Sequence, residues 1–238
     1  MMVDKKFTNL TKSFTISLKQ LTSFNFVKKA TWFGFGTYFF SLIGAMIIAF
    51  YLGSREYSLF FNWIGELGSS SFTPIPYLHD IASAVAGFLT LPFYFYLEKI
   101  LAPFPKNERE LNRYSKLQQA ITTYVLLSSI IGNVGLIGTG IFSMERNLQN
   151  LHFIFGSLAV CGYVTGATLM GLIILFYDVG IPKILGLYGT LGPLSAFILF
   201  LLGYCNGYLL TPFFEWMVLF SLLLFLATLA AIVFHEDI

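Results

Sequence analysis

Six stretches of this sequence are long and apolar enough to cross about 30 Å of hydrocarbon. They are Ala30–Leu52, Tyr77–Leu101, Ala120–Phe142, Leu151–Tyr177, Ile184–Leu209 and Trp216–Phe234. Inside a bilayer every backbone N–H and C=O must be satisfied within the protein, so each run is expected to form a helix. Composition agrees: charged residues make up only 11% of the chain, against about 25% in a typical soluble domain. The 27 Phe and 13 Tyr suit a lipid-facing, interface-anchored surface. The predicted fold class is an all-α integral membrane bundle of six transmembrane helices, residues 30–238, with no soluble domain and no internal repeat.

Residues 1–29 form a separate basic segment. Phe7, Leu10, Phe14, Leu18, Leu21 and Phe24 recur at three- and four-residue steps, with Lys5, Lys6, Lys12 and Lys19 elsewhere on the turn. That pattern predicts an N-terminal interfacial amphipathic helix whose lysines meet anionic lipid. A Ser/Thr-rich tail is the alternative, because β-branched Thr is a poor helix former. The apolar run that follows is too long for a cleaved signal peptide.

Orientation comes from the basic residues. With a cytoplasmic N-terminus, the first 29 residues, the 99–116 region and Lys183 put twelve of the fourteen Lys and Arg inside. Arg55 and Arg146 alone fall outside. By the positive-inside rule both termini are cytoplasmic, in the cell membrane or, in a eukaryote, an endomembrane. The inner basic residues thus need no nucleic-acid partner; membrane lipids are the expected partners, with the oligomeric state left open.

Between the first two spans lies a polar stretch, Asn62–Asp80, rich in Gly, Ser and Pro. Its apolar patch Leu59–Ile64 is too short to span and is expected to lie along the interface or dip back among the helices. Under this topology Glu66, His79, Asp80, His152 and Glu215 gather on the outer side, with Asn133 and Asn206 in the outward halves of their spans. Such polar atoms at similar depth can line a small pocket in the bundle mouth, for a lipid headgroup or a small solute. Each has a plainer reading, as a solvated span end or a helix start. The expectation is that the first loop folds over the mouth and brings Glu66 or Asp80 to His152.

No cofactor is implied. His79, Asp80 and His152 are of the right types for zinc, but no HxxxH or HExxH pair fixes two of them on one helix face. Ser69, Ser70 and Ser71 lack a nucleophile elbow, and no P-loop, dinucleotide glycine pattern or intramembrane arginine series is present. A His/carboxylate lipid hydrolase and a small-solute transporter remain the alternatives to a binding protein. Cys161 and Cys205 read as small packing residues, not as a disulfide. The glycines of span three (Gly132, Gly135, Gly138, Gly140) and the pairs Gly162/Gly166 and Gly203/Gly207 predict close helix packing at the bundle centre.

Several stretches resemble a prokaryotic membrane family known as domain of unknown function 998. They are Ile64-Gly65-Glu66-Leu67-Gly68, the prolines Pro74 and Pro76, Leu78-His79-Asp80, Ala86-Gly87-Phe88-Leu89, Gly140-Ile141-Phe142, Leu151-His152 and Glu215-Trp216. Gly65 stands where that family usually has Ser, and His79-Asp80 where Phe-Asn is typical. The resemblance implies a six-span layout over residues 30–234, similar in shape to DRAM and Frag/Sfk-type proteins, and no settled activity.

The charge bias gives a direct test of orientation. A single Cys at Ser70, in a chain lacking Cys161 and Cys205, should react with an impermeant maleimide on intact cells, and one at Ser115 should not. The reverse pattern would invert the topology.

Overall fold

A computed structural model describes residues 23–102, 116–146 and 148–235. Its long helices are α1 (Phe24–Leu52), α2 (Tyr77–Leu101), α3 (Lys116–Ile141), α4 (Leu151–Phe176), α5 (Lys183–Asn206) and α6 (Thr211–His235). All six are long and apolar enough to cross a membrane, and no strand occurs among the described residues. The chain is therefore an all-helical, multi-pass membrane protein. The expected interfacial helix lies almost wholly outside the described residues.

Several boundaries differ from those read in the sequence. α1 begins at Phe24 rather than Ala30, and the Lys28 ammonium donates to the Phe234 carbonyl (3.1 Å) near the end of α6. A lysine beside the last carbonyls of a helix satisfies an acceptor that no longer has a partner within the helix. α5 stops at Asn206 because Gly207 adopts φ 65°, and α6 begins at Thr211, well before Trp216. Gly207 is thus a helix terminator with nothing within 4 Å of its missing side chain, not the packing residue expected of it. Pro92 and Pro193 lie inside α2 and α5, which membrane helices tolerate.

The helices form a ring in chain order, each packed on the next, with α6 returning to α1. Lipid tails are as apolar as leucine, so helices gain little by hiding apolar surface from them, and close backbone contact must supply the attraction. Glycines make that contact possible. A methyl group on Gly135 would strike the backbone of Ala159, and one on Gly162 the backbone of Gly132, so α3 and α4 touch main chain to main chain. Gly171 of α4 meets Gly186 and Thr190 of α5 in the same way. The expected glycine packing therefore holds at the α3–α4 seam, within the ring.

The two ends of the ring differ. At the end where α2 and α6 finish, Leu97, Leu101, Ile173, Phe225, Leu229 and Val233 are fully buried and fill the interior. The opposite end, covered by the first loop, keeps a cavity. Cys161 and Cys205, expected as packing residues, are both exposed, and neither forms a disulfide.

The seam can be tested by contrast. Gly162→Leu should destabilise the bundle by about 1–3 kcal/mol through overpacking, read as a shifted midpoint in mixed-detergent unfolding. Gly156→Ala, whose new methyl would meet only Thr139 at 3.8 Å, should leave that midpoint unchanged or raise it slightly.

Candidate functional site: a cavity beneath the first loop

The loop from Gly53 to Pro76 has little regular structure, so its polar groups need partners from elsewhere. Ile64 N–H donates to Glu215 Oε2 (2.9 Å), and the Trp216 indole donates to the Asn62 carbonyl (3.1 Å). Two adjacent residues of α6 therefore pin the short 3₁₀ turn Ile64–Gly68 over the bundle. Phe60 stacks on Phe213 with ring centres 5.0 Å apart, and Trp63 meets Phe200 edge-on at 6.3 Å. The Tyr57 hydroxyl donates to the Trp63 carbonyl (3.1 Å). Burial, and then the nearby Glu215 and Glu66 carboxylates, hold that phenol well above its ordinary pKa. The apolar patch thus splits its residues: Phe60 and Phe61 remain exposed while Ile64 packs inward.

Beneath the turn lies a cavity of about 290 Å³, lined by all six helices and by Ile64 and Gly65. Its titratable lining comprises Glu215, His79, His152, Tyr38, Tyr94, Tyr163 and Cys161. His79 is only 7% exposed, its ring tilted against Tyr38 at 6.1 Å, and its Nδ1 has no hydrogen-bond partner among the described residues. A buried polar atom left unpaired costs about 1–3 kcal/mol, so this nitrogen calls for an occupant. Glu215 is partly buried and has no ion-pair partner among the described residues. His152 Nδ1 lies 2.8 Å from the Phe142 carbonyl. A carbonyl only accepts, so Nδ1 carries a proton, and in the neutral ring Nε2 is the acceptor. That Nε2 lies against Gly65, where an added methyl would approach to 2.5 Å. Glycine at this position is what lets the loop lie flat on the histidine.

The remaining predicted residues go elsewhere. Glu66 folds back on its own turn, accepting from Trp63 N–H (2.9 Å) and Asn62 Nδ2 (2.8 Å), as an N3 acid does in half of a capping box. Asp80, 3% exposed, pairs with Arg146 at 3.3 Å, and Arg146 also lies over the Tyr77 ring. The first loop does cover the mouth, but His152 Nδ1 meets a main-chain carbonyl instead of the expected carboxylate, since Glu66 and Asp80 are engaged where they stand. Asn133 is fully buried between helices, accepting from Thr90 (2.7 Å) and Tyr163 (3.2 Å) and donating to the Ser129 carbonyl (2.7 Å). Asn206 is exposed and bonds back to Leu202. Among the described residues no three His, Cys, Asp or Glu side chains cluster closely enough to hold a metal ion, so His79, Asp80 and His152 do not assemble as ligands. Ser70 bonds Glu145 through its hydroxyl (2.6 Å) and its N–H (2.7 Å), and none of Ser69–Ser71 lines the cavity.

Residues not singled out in the sequence supply much of the lining. Ser83, Thr90 and Tyr94 join His79 and Ala86 at three- and four-residue steps along α2, one continuous inward stripe. Small and polar side chains at helical spacing within an apolar span were the signal available for it.

No family model, curated protein or solved structure matches this chain.

The Ser70–Glu145 link predicts a pH dependence. The Ser70 hydroxyl and then its N–H hold the exposed Glu145 carboxyl below its ordinary pKa. A group depressed in the folded state adds stability above its unfolded value and loses it as pH falls through the folded one. The link should be intact at neutral pH and release only below the usual glutamate range. Hydrogen exchange at the Ser70 amide should accelerate there relative to flanking amides, and Glu145→Gln should weaken the pH response.

Proposed function

We propose that this protein is a non-enzymatic, multi-pass membrane binding protein. The cavity beneath its first loop receives the polar end of a small molecule, a lipid headgroup or a solute. The observation that carries this reading is His79, a buried imidazole with an unpaired nitrogen on a cavity that it shares with Glu215 and His152. Apolar side chains dominate the remaining wall, and a mostly apolar pocket with a few convergent polar groups is the usual form of a ligand site. The positive-inside bias supports cytoplasmic termini and a cavity at the exterior or luminal end of the bundle. Kinship with the family called domain of unknown function 998 remains a proposal that rests on the short motifs alone.

The hydrolase and transporter alternatives have less support. The loop serines are bonded away from the cavity, to Glu145 and to each other. One irregular segment between spans, without a counterpart in a second half, gives little basis for alternating access.

Native mass spectrometry of the protein released from mild detergent tests the reading. A bound small molecule should be retained by the natural chain. Leu219→Trp, which fills the cavity, should lose it, and His79→Leu should retain about tenfold less, the equivalent of one hydrogen bond near 1.4 kcal/mol. A natural chain that carries no ligand, and is not stabilised by lipid extract, would count against the proposal.

A further inference from the structure

The cavity has a side opening. Of the residues that line it, only Phe153, Ser157, Cys161 and Leu201 are also exposed, and all four belong to α4 or α5. These two helices touch closely at Gly171 and Gly186, near the opposite end of the ring. Lys183 reinforces that end by donating to the carbonyls of Ile174 (2.6 Å) and Tyr177 (2.5 Å). The exposed lining residues Phe153, Ser157, Cys161 and Leu201 lie toward the first loop on these same two helices. Along α6 the lining runs from Glu215 to Leu226, roughly 16 Å at 1.5 Å per residue, polar at the loop end and apolar beyond it. At about 290 Å³ the space stands at the lower limit of ligand pockets, roughly 300 Å³.

The sign of the polar end follows from what lines it. Glu215 is the acid, and no Lys or Arg is among the lining residues. The other ionisable groups there are two imidazoles, three phenols and the Cys161 thiol, and aromatic faces add attraction for a cation. A primary ammonium brings three donors and no acceptor, which fits the Glu215 carboxylate beside the unpaired Nδ1 of His79. A carboxylate or phosphate head would instead meet Glu215 with like charge.

Resting on the binding reading above, we infer that the ligand is a single-chain amphipathic amine. It enters sideways from the bilayer between α4 and α5, sets its ammonium against Glu215 and lays its chain toward Leu226.

The test uses the full chain in phosphatidylcholine nanodiscs with three probes of equal length: dodecylamine, dodecanol and dodecanoate. Apparent affinity is read from ligand-dependent thermal stabilisation. Dodecylamine should bind about tenfold or more tightly than dodecanol, as a charge-assisted hydrogen bond exceeds a neutral one, and dodecanoate should bind weakest. Glu215→Gln keeps an acceptor for Ile64 N–H and should erase the preference for amine while alcohol still binds. Ser157→Trp, an addition at an exposed position, should slow association in stopped-flow without changing the amine-to-alcohol ratio. Equal binding of amine and alcohol would overturn the cationic inference and leave the binding reading standing. An unchanged association rate in Ser157→Trp would overturn the side entry. If none of the three probes binds, both inferences fail together with the cavity's role.

Discussion

The carboxylate of Glu215 is the point on which the loop end of this protein depends. An irregular segment beside the hydrocarbon region must find partners for its N–H and C=O groups inside the protein. Glu215 accepts a hydrogen bond from the Ile64 N–H, and the indole N–H of its neighbour Trp216 donates one to the Asn62 carbonyl. These bonds fix the turn that carries Gly65, and Gly65 in turn rests on His152. The cavity roof, its acid and its second histidine are therefore one connected unit. Removing the Glu215 carboxyl would loosen the roof as well as neutralise the pocket, which is why glutamine, with its remaining acceptor oxygen, is the informative replacement.

Much of the scaffold could be read directly, because hydrocarbon leaves a chain so few options. Length and apolarity alone located six helices, and their ends missed mainly where local chemistry intervened, at Lys28 and Gly207. The site was less legible. His79 and Asp80 are neighbours in sequence, yet successive residues turn about 100° around a helix. One points into the cavity, and the other meets Arg146 at the rim. Depth along the membrane could be estimated from the sequence; the facing direction of each side chain could not, because neighbouring helices decide it. Glu66 and Glu215 show the same limit. Both are acids next to the same loop, and only the hydrogen bonds reveal that Glu66 serves its own turn while Glu215 serves the roof.

Asn133 marks a second division of labour. Its side chain joins α2, α3 and α4 through Thr90, Ser129 and Tyr163, and it does not line the cavity. Polar bonds between membrane helices are individually modest, averaging about 0.6 kcal/mol. They are directional, however, and a buried amide that bonds three neighbours fixes how those helices are rotated. The rotation of α2 is what sends the His79-to-Tyr94 stripe inward. The asparagine thus acts on the site at a distance, by orienting the wall that bears His79.

The glycines of α5 are shared unevenly between its two neighbours. Gly189, Gly192 and Gly203 all face α6, against Phe225, Ser221 and Phe214 respectively. Gly186 alone meets α4. Toward the loop end the cavity side of α5 carries Phe197, Phe200 and Leu201 in place of glycine. The close glycine contacts of α5 are thus spread along α6 and confined to one end of α4. The proposed side entry lies at the other end of that seam, beside the exposed Ser157 and Cys161. Small residues close a membrane bundle, and on α5 they face α6 at three positions and α4 at one.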